Sequence, residues 1–242
     1  MTGELIGTNE IAEPDRVAMC ALLEQHYLEV TRAQFERDLA DKQWAILLRD
    51  QEGFVRGFST MAVTEIWFHG ERLYALYSGD TIVDRNHWGS SALARTWITA
   101  VRELRARLSA PLVWLLICSG YRTYRFLPVF FREFYPRHDG PTPARVQELI
   151  HALARARYGG AYDAGRGLVV LDHPTPLRED LVSVSGTRRD EHVEHFFRLN
   201  PGHEQGDELV CFCRLDDDNL SAAGWRMVRA GSRDAAQRAA QR

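Results

Sequence analysis

The hydrophobic period along the chain changes several times, and the changes mark its elements. Apolar residues run without a breaker from Val17 to Leu28, behind a proline at Pro14, which predicts an opening helix. Thr31 with Gln34 three residues on is a capping box for a second helix, with Phe35 and Leu39 on one face. The period then shortens. Trp44 to Leu48 is a brief apolar run closed by Arg49-Asp50-Gln51-Glu52-Gly53, a turn signal, and Phe54 to Val63 follows as its hairpin partner. Glu65 to Phe68, the turn His69-Gly70 and Leu73 to Val83 predict a further hairpin.

Helical period returns most clearly after Ser91. Leu93, Trp97, Ile98, Val101, Leu104 and Leu108 share one stripe, with Arg95, Arg102 and Glu103 largely off it. Pro111 ends that helix, and the unbroken run Leu112 to Cys118 predicts a strand buried on both faces. Tyr121 to Tyr135 is crowded with aromatic residues and arginines and predicts a helix interrupted at Pro128. Thr142 as N-cap and Pro143 in the first turn open another helix, with Val146, Leu149, Ile150 and Leu153 as its apolar face and Gly159-Gly160 as its stop. Short strands are predicted at Leu168 to Leu171 and Leu181 to Val184, a helix over roughly Arg188 to Leu199, and an alternating strand over Glu208 to Leu215. Asp216 to Asn219 reads as a turn and cap, and 229–242, rich in Ala, Arg and Gln, as a frayed tail. No repeat or flexible linker interrupts the chain. The pattern predicts one mixed α/β domain over 1–228, with a decorated C-terminal half.

Bulk numbers narrow the function classes. A chain of 242 residues buries a core without staples, and 45% apolar with 26% charged residues is ordinary for a globular protein. A net charge of -3 argues against a general affinity for nucleic-acid phosphates. No run of apolar residues is long enough to span a bilayer, and Met1 to Glu13 lacks the basic and apolar regions of a secretory signal. Cys20, Cys118, Cys211 and Cys213 lie inside apolar runs and form no disulfide framework, so a cytoplasmic setting is expected.

Metal chemistry is not expected. His192-x-x-His195 with His203, Cys211 and Cys213 has ligand-type residues, but Leu209, Cys211, Cys213 and Leu215 alternate as one strand face, where cysteine is a small core residue. The Gly-x-Ser-x-Gly elbow, the P-loop and the dinucleotide fingerprint are absent.

The informative segment is Leu73 to Leu108. A strand ending in Ile82-Val83 runs into the polar turn Arg85-Asn86-His87-Trp88-Gly89-Ser90-Ser91, which opens the long helix. The first amides of a helix have no internal partner and point along its positive pole, and small residues let a ligand approach them. This is a recipe for a phosphate or pyrophosphate site.

With two helices before an antiparallel run of strands, then this strand–turn–helix, a buried strand and an aromatic helix, the chain resembles the GNAT N-acetyltransferase superfamily over roughly Pro14 to Phe131. The resemblance implies a central mixed sheet flanked by helices, with turn amides holding the pyrophosphate of acetyl-CoA and the preceding strand pairing with the pantetheine arm. The family signature Gln/Arg-x-x-Gly-x-Gly/Ala fits in two registers. One places Asn86 on the Gln/Arg position, Gly89 on the first glycine and Ser91 on the final small residue. The other places Trp88 on Gln/Arg and Ser91 on the first glycine. Neither register reproduces the full signature. The resemblance makes Ile82, Val83, Asn86, Trp88, Gly89, Ser90, Ser91 and Ser119 the expected cofactor-binding residues. It makes Tyr121 or Tyr124 the acid for the leaving thiolate and Asp80 or Glu65 the base for the amine, with Asp80 at the bulge where such strands splay. The implied reaction moves an acetyl or longer acyl group from a CoA thioester to an amine, without metal or nucleic acid and with a homodimer allowed. Two alternatives stay open: a long-chain N-acyltransferase of the autoinducer-synthase or N-acyl amino acid synthase type, and a ligand-binding protein that has lost the chemistry.

Overall fold

A computed structural model of the chain describes residues 1–178, 181 and 190–240, without the side chains of 234–240. The antiparallel half of its sheet consists of β1 (Thr2–Gly7), β2 (Trp44–Arg49), β3 (Val55–Phe68) and β4 (Glu71–Val83). The other half holds β5 (Leu112–Cys118), β6 (Phe134–Tyr135), β7 (Tyr162–Asp163), β8 (Leu168–Val169) and β9 (Glu208–Arg214). The strand order is β1-β2-β3-β4-β5-β9-β8-β7, with β6 also paired to β9. Among the described strands only β4 and β5 pair in parallel. The connection between them is the helix α3 (Ala92–Ala106), the crossover a parallel pair requires.

Helices cover both faces. On one side α3 is joined by α4 (Tyr121–Tyr124), α5 (Phe126–Phe130), α7 (Glu191–Leu199) and α8 (Ala222–Ala240) around Trp97, Trp114, Leu116 and Phe196. On the other, α1 (Glu13–His26) and α2 (Arg32–Ala40) cover β1 to β3 through Met19, Phe35, Leu47 and Phe58. Farther along that face α6 (Ala144–Tyr158) covers β4, β5 and β9 through Ile150, Leu153, Val113 and Phe212. β5 feeds both cores, with Trp114, Leu116 and Cys118 on one and Val113 and Leu115 on the other, so its unbroken apolar run is accounted for. Burying each such side chain contributes about 1.5–3 kcal/mol.

Several boundaries differ from the sequence reading. β1 was not predicted: its half-exposed alternation between Gly3 and Gly7 carries little signal, and pairing with β2 decides it. β3 (Val55–Phe68) is one long strand where two were expected. The aromatic segment breaks at Arg125, between α4 and α5, and Pro128 sits inside α5. There Pro128 is in the first turn of a short helix, where a missing N–H removes no intrahelical bond. α6 begins at Ala144 with Pro143 as its N-cap, so Thr142 is not the cap. α8 continues to Ala240 where a frayed tail was expected. It lies close against α3, because a Cβ on Gly231 would overlap Thr99 Oγ1. Of the predicted strand Leu181 to Val184, all but Leu181 lies outside the described residues.

The histidines of α7 are core groups. His195 is 8% exposed and its Nδ1 lies 2.6 Å from Arg198 Nη2, while His192 meets His138 at 4.3 Å between ring centroids. Among the described residues no three His, Cys, Asp or Glu side chains come together as metal ligands. Burial, aided by Arg198 and the neighbouring histidines, holds His195 down at about 4, and burial also lowers His192. The unfolded chain therefore takes up these protons first. The stabilisation is complete above about pH 6.5 and is lost as the pH falls toward 4, at a cost on the order of 3 kcal/mol for His195. Melting temperature measured against pH should fall across that window, and His195→Gln should flatten the fall. An unchanged slope in the variant would remove His195 from the account.

Candidate active site

The site begins where β4 and β5 part. Their pairing runs from Tyr74–Leu112 to Ser78–Leu116 and stops. β5 continues along β9 to Cys118–Leu209, while β4 stays with β3. The β3–β4 register jumps between the pairs Phe58–Ile82 and Thr60–Gly79, so Asp80 and Thr81 stand opposite the single residue Ser59. This is a β-bulge, with Asp80 at φ 37°. Side chains pin it: Ser59 Oγ and Thr81 Oγ1 are 2.8 Å apart, and Thr60 Oγ1 donates to the Gly79 carbonyl at 3.1 Å. Trp114 Nε1 donates to Ser78 Oγ at 2.8 Å and ties the two strands together just before they separate.

A cavity opens from this wedge on each face of the sheet. The larger, about 450 Å³, lies between the end of β4, the start of α3, α4 and α5. Its walls include Ile82, Val83, Trp97, Trp114, Phe126 and Phe130, and Ser90, Ser91, Leu93 and Ala94 form its rim. The smaller, about 290 Å³, lies between α2 and α6 and is lined by Asp38, Lys42, Asp80, Ser119, Arg157 and Glu208. Tyr27, Ser78, Thr81 and Thr123 line both, so the cavities meet at the splay.

The rim of the larger cavity is suited to an anion. Ser90 Oγ caps the Ala92 amide at 3.2 Å. Among the described residues the amides of Ser91, Leu93 and Ala94 have no hydrogen-bond partner, as expected of a helix start. Trp88 Nε1 donates to the Val83 carbonyl at 2.8 Å and fixes the turn against its strand, and the Arg122 guanidinium lies 4.1 Å over the Trp88 ring. His26, 5% exposed, also lines this cavity. Its Nδ1 faces the Leu22 carbonyl at 2.9 Å, which makes that nitrogen the N–H, and its buried Nε2 has no partner among the described residues. A ligand N–H can satisfy it.

The smaller cavity carries the titratable groups. Burial raises Glu208 to about 7; Ser119, as a hydrogen-bond donor, opposes that rise and the charge of Asp80 adds to it. Burial raises Asp80 as well, opposed by Lys42. Tyr27 is pushed up by burial and by the charges of Glu208 and Asp80, so its hydroxyl stays protonated at neutral pH.

The parallel, splayed β4–β5 pair, the bulge at the splay and the helix opening from the β4 turn occur together at one site. This is the arrangement that the sequence resemblance to the GNAT superfamily implies. No protein-family model and no curated protein matches the chain. Solved structures similar to it include a conserved protein from Enterococcus faecalis described as a probable N-acyltransferase, at 14% identity, TM-score 0.39 and 55% of this chain. This chain spans a third (33%) of that protein's length. A GNAT family N-acetyltransferase from Escherichia coli in complex with CoA is 17% identical, with TM-score 0.38, over 52% of this chain and 68% of its own. An acetyltransferase from Trypanosoma brucei is 15% identical, with TM-score 0.40, over 58% and 99% of the two chains.

Against this GNAT-like frame the expected site residues divide. Ile82, Val83, Trp88, Ser90 and Ser91 line the larger cavity, and Asp80 and Ser119 the smaller. Asn86 and Gly89 line neither. The Asn86 amide is taken by Asp84 Oδ1, and a Cβ on Gly89 would meet nothing within 4 Å, so no close approach requires glycine there. Tyr121 lines the larger cavity, but Tyr124 does not: it is 1% exposed, and its hydroxyl donates to the Pro136 carbonyl at 2.9 Å. Glu65 sits toward the far end of β3, accepts from the Tyr74 hydroxyl at 3.1 Å and lines neither cavity. Glu208, Tyr27, His26 and Lys42 were not singled out from the sequence. For Glu208 half the signal was present, because strand alternation puts it on the face of Val210 and Phe212.

Proposed function

We propose that this chain is an acyl-CoA-dependent N-acyltransferase, with the thioester in the larger cavity and the amine in the smaller. The observation that carries this reading is the meeting of the two cavities at the β4–β5 splay, with a carboxylate poised near neutrality on the smaller side. The fold then supplies rate largely by holding the reactants face to face. Glu208 takes a proton from the amine. The amine nitrogen attacks the thioester carbonyl, the C–N bond forms, and the C–S bond breaks. Tyr27, which borders both cavities, returns a proton to the departing thiolate. Tyr27 and Glu208 thereby take the roles expected of Tyr121 or Tyr124 and of Asp80 or Glu65. Asp80 sets the charge around the base.

The pyrophosphate is held by the free amides of α3, with Arg122 beside them. This assignment has a direct test. Ser91→Asp places a good N-cap and a negative charge on the rim, so it favours the helix and repels phosphate. Calorimetry should show CoA affinity falling on the order of tenfold or more while the melting temperature of the free protein holds or rises. Unchanged CoA affinity in a folded variant would disprove the anion site.

The aromatic wall of the larger cavity, Trp97, Trp114, Phe126 and Phe130, supports an acyl chain longer than acetyl. In a thermal-shift series, a long-chain acyl-CoA should then stabilise the protein more than acetyl-CoA or free CoA at equal concentration. For scale, a ligand at 100 times its dissociation constant adds about 2.7 kcal/mol. Equal shifts for all three would restrict the reading to acetyl transfer.

A further inference from the structure

The chain's 30 Lys and Arg residues include a single lysine, Lys42, and it lines the smaller cavity. Its place is fixed by the fold. It follows the last turn of α2, where its amide donates to the Leu39 carbonyl at 3.1 Å and its own carbonyl accepts from Thr8 Oγ1 at 2.7 Å. Its side chain reaches across β4: Lys42 Cε stands 3.5 Å, and Nζ 4.0 Å, from where a Gly79 Cβ would be. A side chain at Gly79 would crowd that stem. Nζ donates to the Asp38 carbonyl at 3.0 Å, which uses one of the three ammonium protons. Among the described residues no carboxylate lies within ion-pair distance of it. Arg157, the other cation of the cavity, is already paired with Asp41 and stacked 5.4 Å from the Tyr77 ring centroid.

The cavity therefore carries both signs, with the charges of Asp38 and Asp80 felt at Lys42 but neither carboxylate paired with it. Glu208 and Asp80 line the wall by the splay, where the reacting nitrogen must sit. A compact ammonium with unused donors stands along the same wall. We propose that Lys42 binds a carboxylate carried by the acceptor, and that the acceptor is an amino acid rather than a simple amine. This rests on the N-acyltransferase reading of the same site and specifies its substrate class. A simple amine would leave Lys42 without a partner on binding and would gain nothing from it. An amino acid sets its amine toward Glu208 and its carboxylate on Lys42 Nζ. An ammonium, unlike a guanidinium, offers three rotatable donors on a flexible stem and can serve the Asp38 carbonyl and a ligand together.

The test compares the common amino acids with the amines left by their decarboxylation, on wild-type protein and on Lys42→Met and Lys42→Arg variants. Thiol release from acyl-CoA measures turnover, and calorimetry on the CoA-loaded protein measures binding. For the best amino acid, wild type should show an advantage over its decarboxylated partner of about tenfold or more in both kcat/KM and affinity. Lys42→Met should lose that advantage, the amino acid's KM rising relative to that of its decarboxylated partner, and Lys42→Arg should restore part of it. Equal use of both acceptors by wild type would overturn the proposal while leaving acyl transfer standing. So would an advantage that survives in Lys42→Met. If amino acids bind with the predicted preference and lose it in Lys42→Met, yet no thiol is released with any acceptor, the carboxylate site stands and the acyl-transfer reading fails.

Discussion

Glu208→Gln is expected to lower kcat/KM by about 10²–10⁴ while leaving CoA affinity within about twofold of wild type. The substitution keeps the shape of the side chain and removes its capacity to accept a proton. Wild-type activity should rise with pH through an inflection near 7, because the base works only when ionised and burial raises Glu208 to about 7. The variant should lose that inflection. The neighbours move it in opposite directions. Ser119 draws the carboxyl down, so Ser119→Ala should carry the inflection to higher pH; Asp80 pushes it up, so Asp80→Asn should carry it lower. Tyr27→Phe should depress the plateau and keep the inflection. An inflection near 7 that persists in Glu208→Gln would assign the base to another group.

The second large effect is structural. Trp114 is 4% exposed and sits where the wedge begins, with its ring centroid 4.3 Å from Trp97, 5.8 Å from Phe126 and 6.0 Å from Phe131. Its Nε1 bridges to Ser78 on the neighbouring strand. Trp114→Ala removes this contact surface and leaves a cavity, at a cost of about 3–5 kcal/mol. For a chain of this size the melting temperature should fall by roughly 10 °C. Trp114→Phe keeps most of the stacking and loses the Ser78 bond, so it should cost about 1–2 kcal/mol. Thermal unfolding of the two variants checks the order. A loss below about 1 kcal/mol for Trp114→Ala would mean that the aromatic cluster is loosely packed and that its wall does not shape the larger cavity.

How far the sequence reached depended on the range of the interactions. Local signals carried well. The stripe of α3, the unbroken run of β5, the turn at His69-Gly70 and the alternation of β9 are fixed by neighbours within a few residues, and each appears where its pattern put it. The bulge at Asp80 was also legible, because a small residue, a short polar one and a β-branched one in sequence interrupt a strand. The pairings around the two cavities were not. Glu208 meets Ser119 only because β9 lies beside β5 beyond the splay, a contact between residues far apart in the chain. Tyr27 follows the end of α1 and reaches both cavities through the chain reversal into α2, and no local pattern marks it. Tyr124 is the converse case, a residue the sequence put forward that lines neither cavity. It was singled out as one of the first tyrosines after β5, and its hydroxyl donates to the Pro136 carbonyl. Lys42 was passed over, although counting alone marks it as the only lysine among many arginines; its place in the cavity needed the fold.

The central claim is that thioester and amine meet at the β4–β5 splay from opposite faces of one sheet. A crystal structure of the chain with CoA bound tests it most directly. The pyrophosphate should lie on the amides of Leu93 and Ala94, the pantetheine arm along the end of β4 toward Val83, and the sulfur beside Tyr27, Ser78 and Thr81 where the two cavities join. CoA bound elsewhere, with the splay empty and the α3 amides untouched, would contradict it.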